Sequence, residues 1–88
     1  MLLGGDVATV SVKLYAGLQA LVGSKSVELA LPPGATVGQL RDKIVEEHPV
    51  LQAFIATLVC AIDEEMVDVD HVLRDGEKVE LIPPIAGG

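Results

Sequence analysis

Apolar and polar residues alternate from Val7 onward. Val10, Val12 and Leu14 fall on one side and Thr9, Ser11 and Lys13 on the other, the period-two pattern of a half-buried strand. Residues 17–24 read as a short connection, with Leu18, Leu21 and Val22 able to tuck beneath it and Gly23-Ser24 turning the chain. Val27, Leu29 and Leu31 then alternate with Ser26, Glu28 and Ala30, so a second strand follows at hairpin distance and Pro32-Pro33-Gly34 ends it. The period changes at Thr36. Val37, Leu40, Ile44 and Val45 share one helical stripe while Arg41, Asp42, Glu46 and Glu47 lie off it. Thr36-Val37-Gly38-Gln39 has the form of a capping box, in which each outer side chain satisfies the other's free backbone N–H. Gly38 weakens the first turn by about 1 kcal/mol relative to Ala. The helix should run from Thr36 to His48, because Pro49 disfavours helix in the residue before it.

Beyond Pro49 the pattern is less regular. Val50, Leu51, Phe54 and Ile55 fit either a short second helix or a packed loop. Leu58 to Ile62 is a continuous apolar run, consistent with a strand buried on both faces. Asp63-Glu64-Glu65 turns the chain and Met66-Val67 makes a brief edge strand. Asp75-Gly76 is a strong turn signal. Lys78 to Ile82 is the last strand, with Val79 and Leu81 facing one way and Glu80 and Ile82 the other. Strands with one principal helix on a single face of a mixed sheet make an α+β roll. The helix supplies the crossover that a parallel pairing needs, so the last strand should lie beside the first, parallel to it, at the centre. We divide the chain into a loose leader (1–6), one folded domain (7–83) and an extended arm (84–88).

Composition narrows the function classes. An 88-residue chain that is 50% hydrophobic supports one small packed domain. Tyr15 and Phe54 are its only aromatic residues, so aliphatic side chains must fill the core. Six basic residues against thirteen acidic ones give a net charge of −7, which disfavours nucleic acid and anionic membranes as partners. No apolar run is long enough to span a bilayer, and Met1-Leu2-Leu3 lacks the basic start of a signal peptide; the expected location is the cytoplasm. The single Cys60 excludes an intramolecular disulfide, and its apolar strand makes it a small inert hydrophobe rather than a nucleophile. His48 at the helix end suits a capping role, and His71 reads as a solvated loop residue. Asp63, Glu64, Glu65, Asp68 and Asp70 lack the spacing of a calcium loop and read as a solvated acidic edge. Nothing here assembles a catalytic set.

The C-terminal stretch Leu81-Ile82-Pro83-Pro84-Ile85-Ala86-Gly87-Gly88 carries the functional signal. Proline fixes φ and lacks an N–H, so Pro83-Pro84 should take the chain off the sheet as a stiff arm. Two glycines without side chains let a terminal carboxylate enter a channel barely wider than the backbone. A frayed tail is the plain alternative. A carboxylate is inert until activated, and the activating machinery would have to lie on partners.

Residues 58–88 contain Ala61-Ile62-Asp63-Glu64-Glu65, Leu73-Arg74-Asp75-Gly76-Glu77-Lys78-Val79 and the Pro-Pro/Gly-Gly ending. Together they resemble the small subunit of molybdopterin synthase, the MoaD family. Val12-Lys13-Leu14-Tyr15-Ala16-Gly17 resembles that family's first strand, and Thr36-Val37-Gly38-Gln39-Leu40 its helix start. The resemblance implies a ubiquitin-like β-grasp fold. It implies that an E1-like enzyme, using ATP and Mg, adenylates Gly88, after which a sulfur donor system converts the end to a thiocarboxylate. The large subunit would then accept the arm, and sulfur would pass to cyclic pyranopterin monophosphate. No cofactor is expected on this chain. Gly87 and Gly88 would be the reactive end, Pro83, Pro84, Ile85 and Ala86 the inserted arm, and Tyr15, Leu81 and Ile82 candidates for a docking surface, each of which fits the core equally well. Two departures are Asp63, where the family often has Asn, and Leu81-Ile82, where a Phe often precedes Pro-Pro. Other readings are a carrier for thiazole, cysteine or tRNA thiolation, a ubiquitin-like modifier joined to lysine, and a plain interaction domain. The Pro-Pro pair argues against the thiazole type.

Overall fold

The computed structural model describes residues 7–15 and 17–83. The leader at 1–6 and the arm positions Pro84, Ile85, Ala86, Gly87 and Gly88 lie outside the described residues. Strand β1 (Ala8–Leu14) is followed by helix α1 (Leu18–Val22) and strand β2 (Ser26–Leu31). Helix α2 (Val37–Glu47) leads into two 3-10 turns (Pro49–Ala53 and Ile55–Thr57), and β3 (Val59–Ile62), β4 (Glu65–Met66) and β5 (Lys78–Ile82) complete the order. The five strands form one sheet in the order β2-β1-β5-β3-β4. β1 and β5 are parallel, Val12 beside Val79 and Leu14 beside Leu81; the β1–β2, β3–β5 and β3–β4 pairings are antiparallel. This is the mixed ubiquitin-like sheet with one main helix, and β5 lies at its centre.

Register explains the core. Residues paired across strands share a face, so Val10 and Val12 of β1 line up with Leu29 and Val27 of β2, and Val12 also with Val79 of β5. That face meets Val37, Leu40 and Ile44 of α2, all buried, with Val45 partly buried against them. The capping box forms: Gln39 N–H donates to Thr36 Oγ1 at 3.3 Å, and Thr36 N–H donates to Gln39 Oε1 at 2.9 Å. The helix closes at His48, whose backbone N–H donates to Ile44 O.

Several local expectations change. Residues 17–24 hold a short helix, α1, that ends on Gly23 at φ 86°. Its Leu18 is buried, but Leu21 is 41% exposed, because five residues offer only one inward turn. The stretch after Pro49 is neither a regular α-helix nor a plain loop. Leu51 is the buried anchor of its 3-10 turns, while Val50 and Phe54 stay exposed. The brief edge strand is Glu65–Met66, one residue earlier than Met66-Val67, and Met66 is 77% exposed. Val59 is only partly buried, so β3 is buried on both faces from Cys60 to Ile62 alone.

Candidate functional site: the root of the arm

β5 delivers the chain to the point where the arm begins. Its last residue, Ile82, pairs with Val59 at the start of β3, and Leu81 pairs with both Leu14 and Cys60. The root therefore sits at one end of the sheet, between the end of β1 and the start of β3. Two ties hold the neighbourhood. Gln19 Nε2 of α1 donates to Leu14 O at 2.8 Å, securing the β1–α1 junction. At the opposite end, Asp75 Oδ1 accepts from Thr9 N–H and Gly76 N–H donates to Thr9 O, both at 2.8 Å. These bonds set the parallel register from which β5 starts.

Of the docking residues expected from the sequence, Tyr15, Ile82 and Pro83 are each partly buried, and Tyr15 and Ile82 each follow directly on the Leu14–Leu81 pair. Leu81 does not belong with them. It is 0% exposed and forms part of the core beneath α2, as the two-residue period of β5 requires once Val79 points inward. A residue so enclosed cannot offer its side chain to a partner. Ile82, one position on, projects to the other face.

That open face is chemically mixed. Near the root, Ile82, Val59 and Ala61 alternate onto it from β5 and β3, and Met66 of β4 extends the apolar strip to the sheet edge. Toward β2 it becomes polar, with an open groove lined by Ser11, Lys13, Lys25, Ser26, Lys78 and Glu80. Three of the chain's six basic residues thus gather on one face of an acidic protein. Tyr15 Oη donates to Glu80 Oε2 at 2.6 Å, and Lys13 Nζ stands 5.0 Å from the Tyr15 ring centroid. Sequence reasoning missed Glu80, Lys13, Val59 and Met66. Alternation alone gives their faces, but only the register places them around one another.

The remaining chemistry-bearing residues lie elsewhere. Cys60 is buried; burial pushes its thiol above the ordinary value, partly offset by the Arg41 guanidinium. Arg41 itself donates to Ile55 O. His71 is exposed, and its carbonyl accepts from Val37 N–H at the start of α2. Among the described residues no polar or charged residue is buried, and no three His, Cys, Asp or Glu side chains come together as a metal site. No helix among them is long and apolar enough to cross a membrane.

Comparison with known proteins agrees with this geometry. The model of the ThiS family matches residues 12–88. The molybdopterin synthase sulfur carrier subunit of Escherichia coli is 31% identical over 81 residues, covering 90% of this chain and 99% of that protein. Small archaeal modifier protein 1 of Haloferax volcanii is 34% identical over 88 residues, covering 86% and 97%. The crystal structure of the latter protein superposes with a TM-score of 0.83 at 26% identity, over 92% of this chain and all of the other.

Proposed function

The chain belongs to the ThiS family, and on that premise we propose that it is the sulfur carrier subunit of a molybdopterin synthase. The observation that carries the reading is the sequence beyond β5. The central strand ends at Ile82, and the residues after Pro83, Pro84-Ile85-Ala86-Gly87-Gly88, lie wholly within the span that the family matches.

The chemistry starts from the carboxylate. An oxygen of Gly88 attacks the α-phosphorus of ATP on an activating E1-like enzyme, forming an acyl-adenylate and releasing pyrophosphate. Mg on that enzyme offsets the phosphate charge. A sulfide-level nucleophile from the sulfur donor system adds to the activated carbonyl and expels AMP, leaving a thiocarboxylate. In the large subunit, the thiocarboxylate sulfur attacks a side-chain carbon of the pterin precursor, cyclic pyranopterin monophosphate, forming a C–S bond as that carbon's C–O bond breaks and the oxygen departs on the phosphate. Water then cleaves the resulting acyl–sulfur bond, returning the Gly88 carboxylate and leaving sulfur on the pterin. Every activating group sits on a partner, in a cytoplasmic pathway. This chain supplies reach through Pro83, Pro84, Ile85 and Ala86, a slim tip through Gly87 and Gly88, and apolar docking through Tyr15 and Ile82.

A second reading is favoured by the similarity to the archaeal modifier. There the same adenylate would be captured by a lysine amine, giving an isopeptide. One measurement separates the two. The intact mass of the protein from its own cell should show sulfur in place of one terminal oxygen. A branched lysine adduct without any thiocarboxylate would make the chain a modifier instead.

A further inference from the structure

β1 and β5 form the sheet's parallel pair, with Leu14 beside Leu81 and Lys13 beside Glu80. Tyr15, one residue past the end of β1, folds back to Glu80 through its hydroxyl at 2.6 Å. Lys13 stands over its ring. One side-chain hydrogen bond thus ties the two strands together immediately before the arm begins, with Lys13 over the ring of its donor. The backbone cannot extend this tie, because Pro83 has no N–H to continue a ladder. A phenol donating to a carboxylate makes a short, charge-assisted and directional bond. It resists rotation of the β5 end against β1.

Resting on the reading of the tail as a delivery arm, we infer that Tyr15 and Glu80 are positioning residues whose hydrogen bond fixes the direction in which the arm leaves the sheet. From Ile82 to Gly88 the chain can span at most about 20 Å, at ~3.3–3.6 Å per residue. A misdirection at the root is therefore carried toward the tip, where a misplacement of about 1 Å can cost on the order of a hundredfold in rate. A partner channel corrects part of that error, so the pair's own share is smaller. On this account Tyr15 acts through the arm, and its polar end faces Glu80 rather than the partner.

The test uses the full-length chain as Tyr15→Phe, Glu80→Ala, Glu80→Gln and the Tyr15→Phe/Glu80→Ala double variant. Two readouts are taken: amide hydrogen exchange at Leu81 and Ile82 in the isolated chain, and kcat and KM for thiocarboxylated carrier in sulfur transfer with the large subunit. Tyr15→Phe and Glu80→Ala should each speed exchange at both amides and lower kcat roughly three- to tenfold, with KM unchanged. The double variant should be no worse than either single change, because both remove one interaction. Glu80→Gln, which keeps an acceptor oxygen, should stay near wild type. Unchanged exchange in Tyr15→Phe overturns the tie whatever the transfer rate. A raised KM at constant kcat in Tyr15→Phe means that the hydroxyl serves the partner rather than Glu80 and overturns it too, as do additive losses in the double variant. A wild-type carrier that transfers no sulfur counts against the carrier reading alone, since the exchange result is read without any partner.

Discussion

The two faces of the sheet are built from the same strands, residue by residue in alternation, yet they obey different rules. The face under α2 is wholly aliphatic apart from Cys60: Val10, Val12, Leu14, Val79 and Leu81 meet Val37, Leu40 and Ile44 with almost no exposure. The open face carries Lys13, Tyr15, Glu80, Lys78 and a strip of Val59, Ile82 and Met66. Leu81 and Ile82 show the contrast within one dipeptide. Both are large aliphatics, but one closes the core and the other stands partly open at the arm's root. Stability is concentrated on the first face, and the second carries the side chains left open to solvent.

The largest effect that tests this division is on stability. Leu81→Ala should cost ~2–5 kcal/mol in denaturant unfolding, the usual range for emptying a leucine site in a packed core. Ile82→Ala should cost well under half as much, because that side chain is only partly enclosed. Equal losses would erase the distinction between the faces.

A loss of comparable size is expected at the tip, this time in function. Deleting Gly88 shortens an extended arm by about 3.3–3.6 Å. Misplacement of about 1 Å can already cost a hundredfold, so sulfur transfer should fall by at least that much at saturating partner, while affinity for the large subunit is kept. Ile85→Asp should do the reverse, weakening affinity by placing a charge against an apolar wall. Full-rate transfer by the Gly88 deletion would sink the arm-and-tip mechanism.

The inner face was legible because burial repeats with the period of the backbone. Alternation assigned Val10, Val12, Leu14, Val79 and Leu81 to one side of their strands, and the Thr36–Gln39 capping box located the start of α2. The same alternation sets Leu81 with Val79 and Ile82 on the other side, and burial of Val79 and Leu81 decides between core and open face for each. The open face was less legible, since Tyr15 and Glu80 are 65 positions apart and meet only through the β1–β5 register. Short elements were also hidden. α1 and the 3-10 turns after Pro49 have too few residues to display a period, and tertiary packing of Leu18 and Leu51 decides them.

Cys60 offers a smaller probe of the inner face. Burial holds its thiol above the ordinary value in the folded chain, so the unfolded chain loses that proton first as pH rises. The contribution to stability is full below the unfolded thiol's pKa and is lost as pH climbs toward the folded value. Wild type should therefore lose more stability than Cys60→Ala between neutral and alkaline pH. Parallel pH profiles would show that the Cys60 site is not shielded from water.

The smallest effect sharpens the cost of carrying the open face's edge. β3 reverses into β4 through Asp63 and Glu64, and both have positive φ, 52° and 69°. The two-residue hairpin turn that matches the twist of its strands needs left-handed backbone at both central positions, which is why Asn-Gly and Asp-Gly are preferred there. Asp tolerates that region better than Glu, because its short side chain can bond locally. Glu64 has no such help, and the left-handed conformation costs an ordinary residue roughly 1–2 kcal/mol relative to the right-handed one. Glycine would remove that strain but add freedom to the unfolded chain, so Glu64→Gly should stabilise the fold by a net of about 0.5–1 kcal/mol. The measurement is a denaturant midpoint at constant slope. Sulfur transfer should not change, because the turn lies at the opposite end of β3 from Val59 and the arm's root. Destabilisation by Glu64→Gly would mean that the Glu64 side chain supports the edge strand, and Met66 would then be held on the open face by more than the turn.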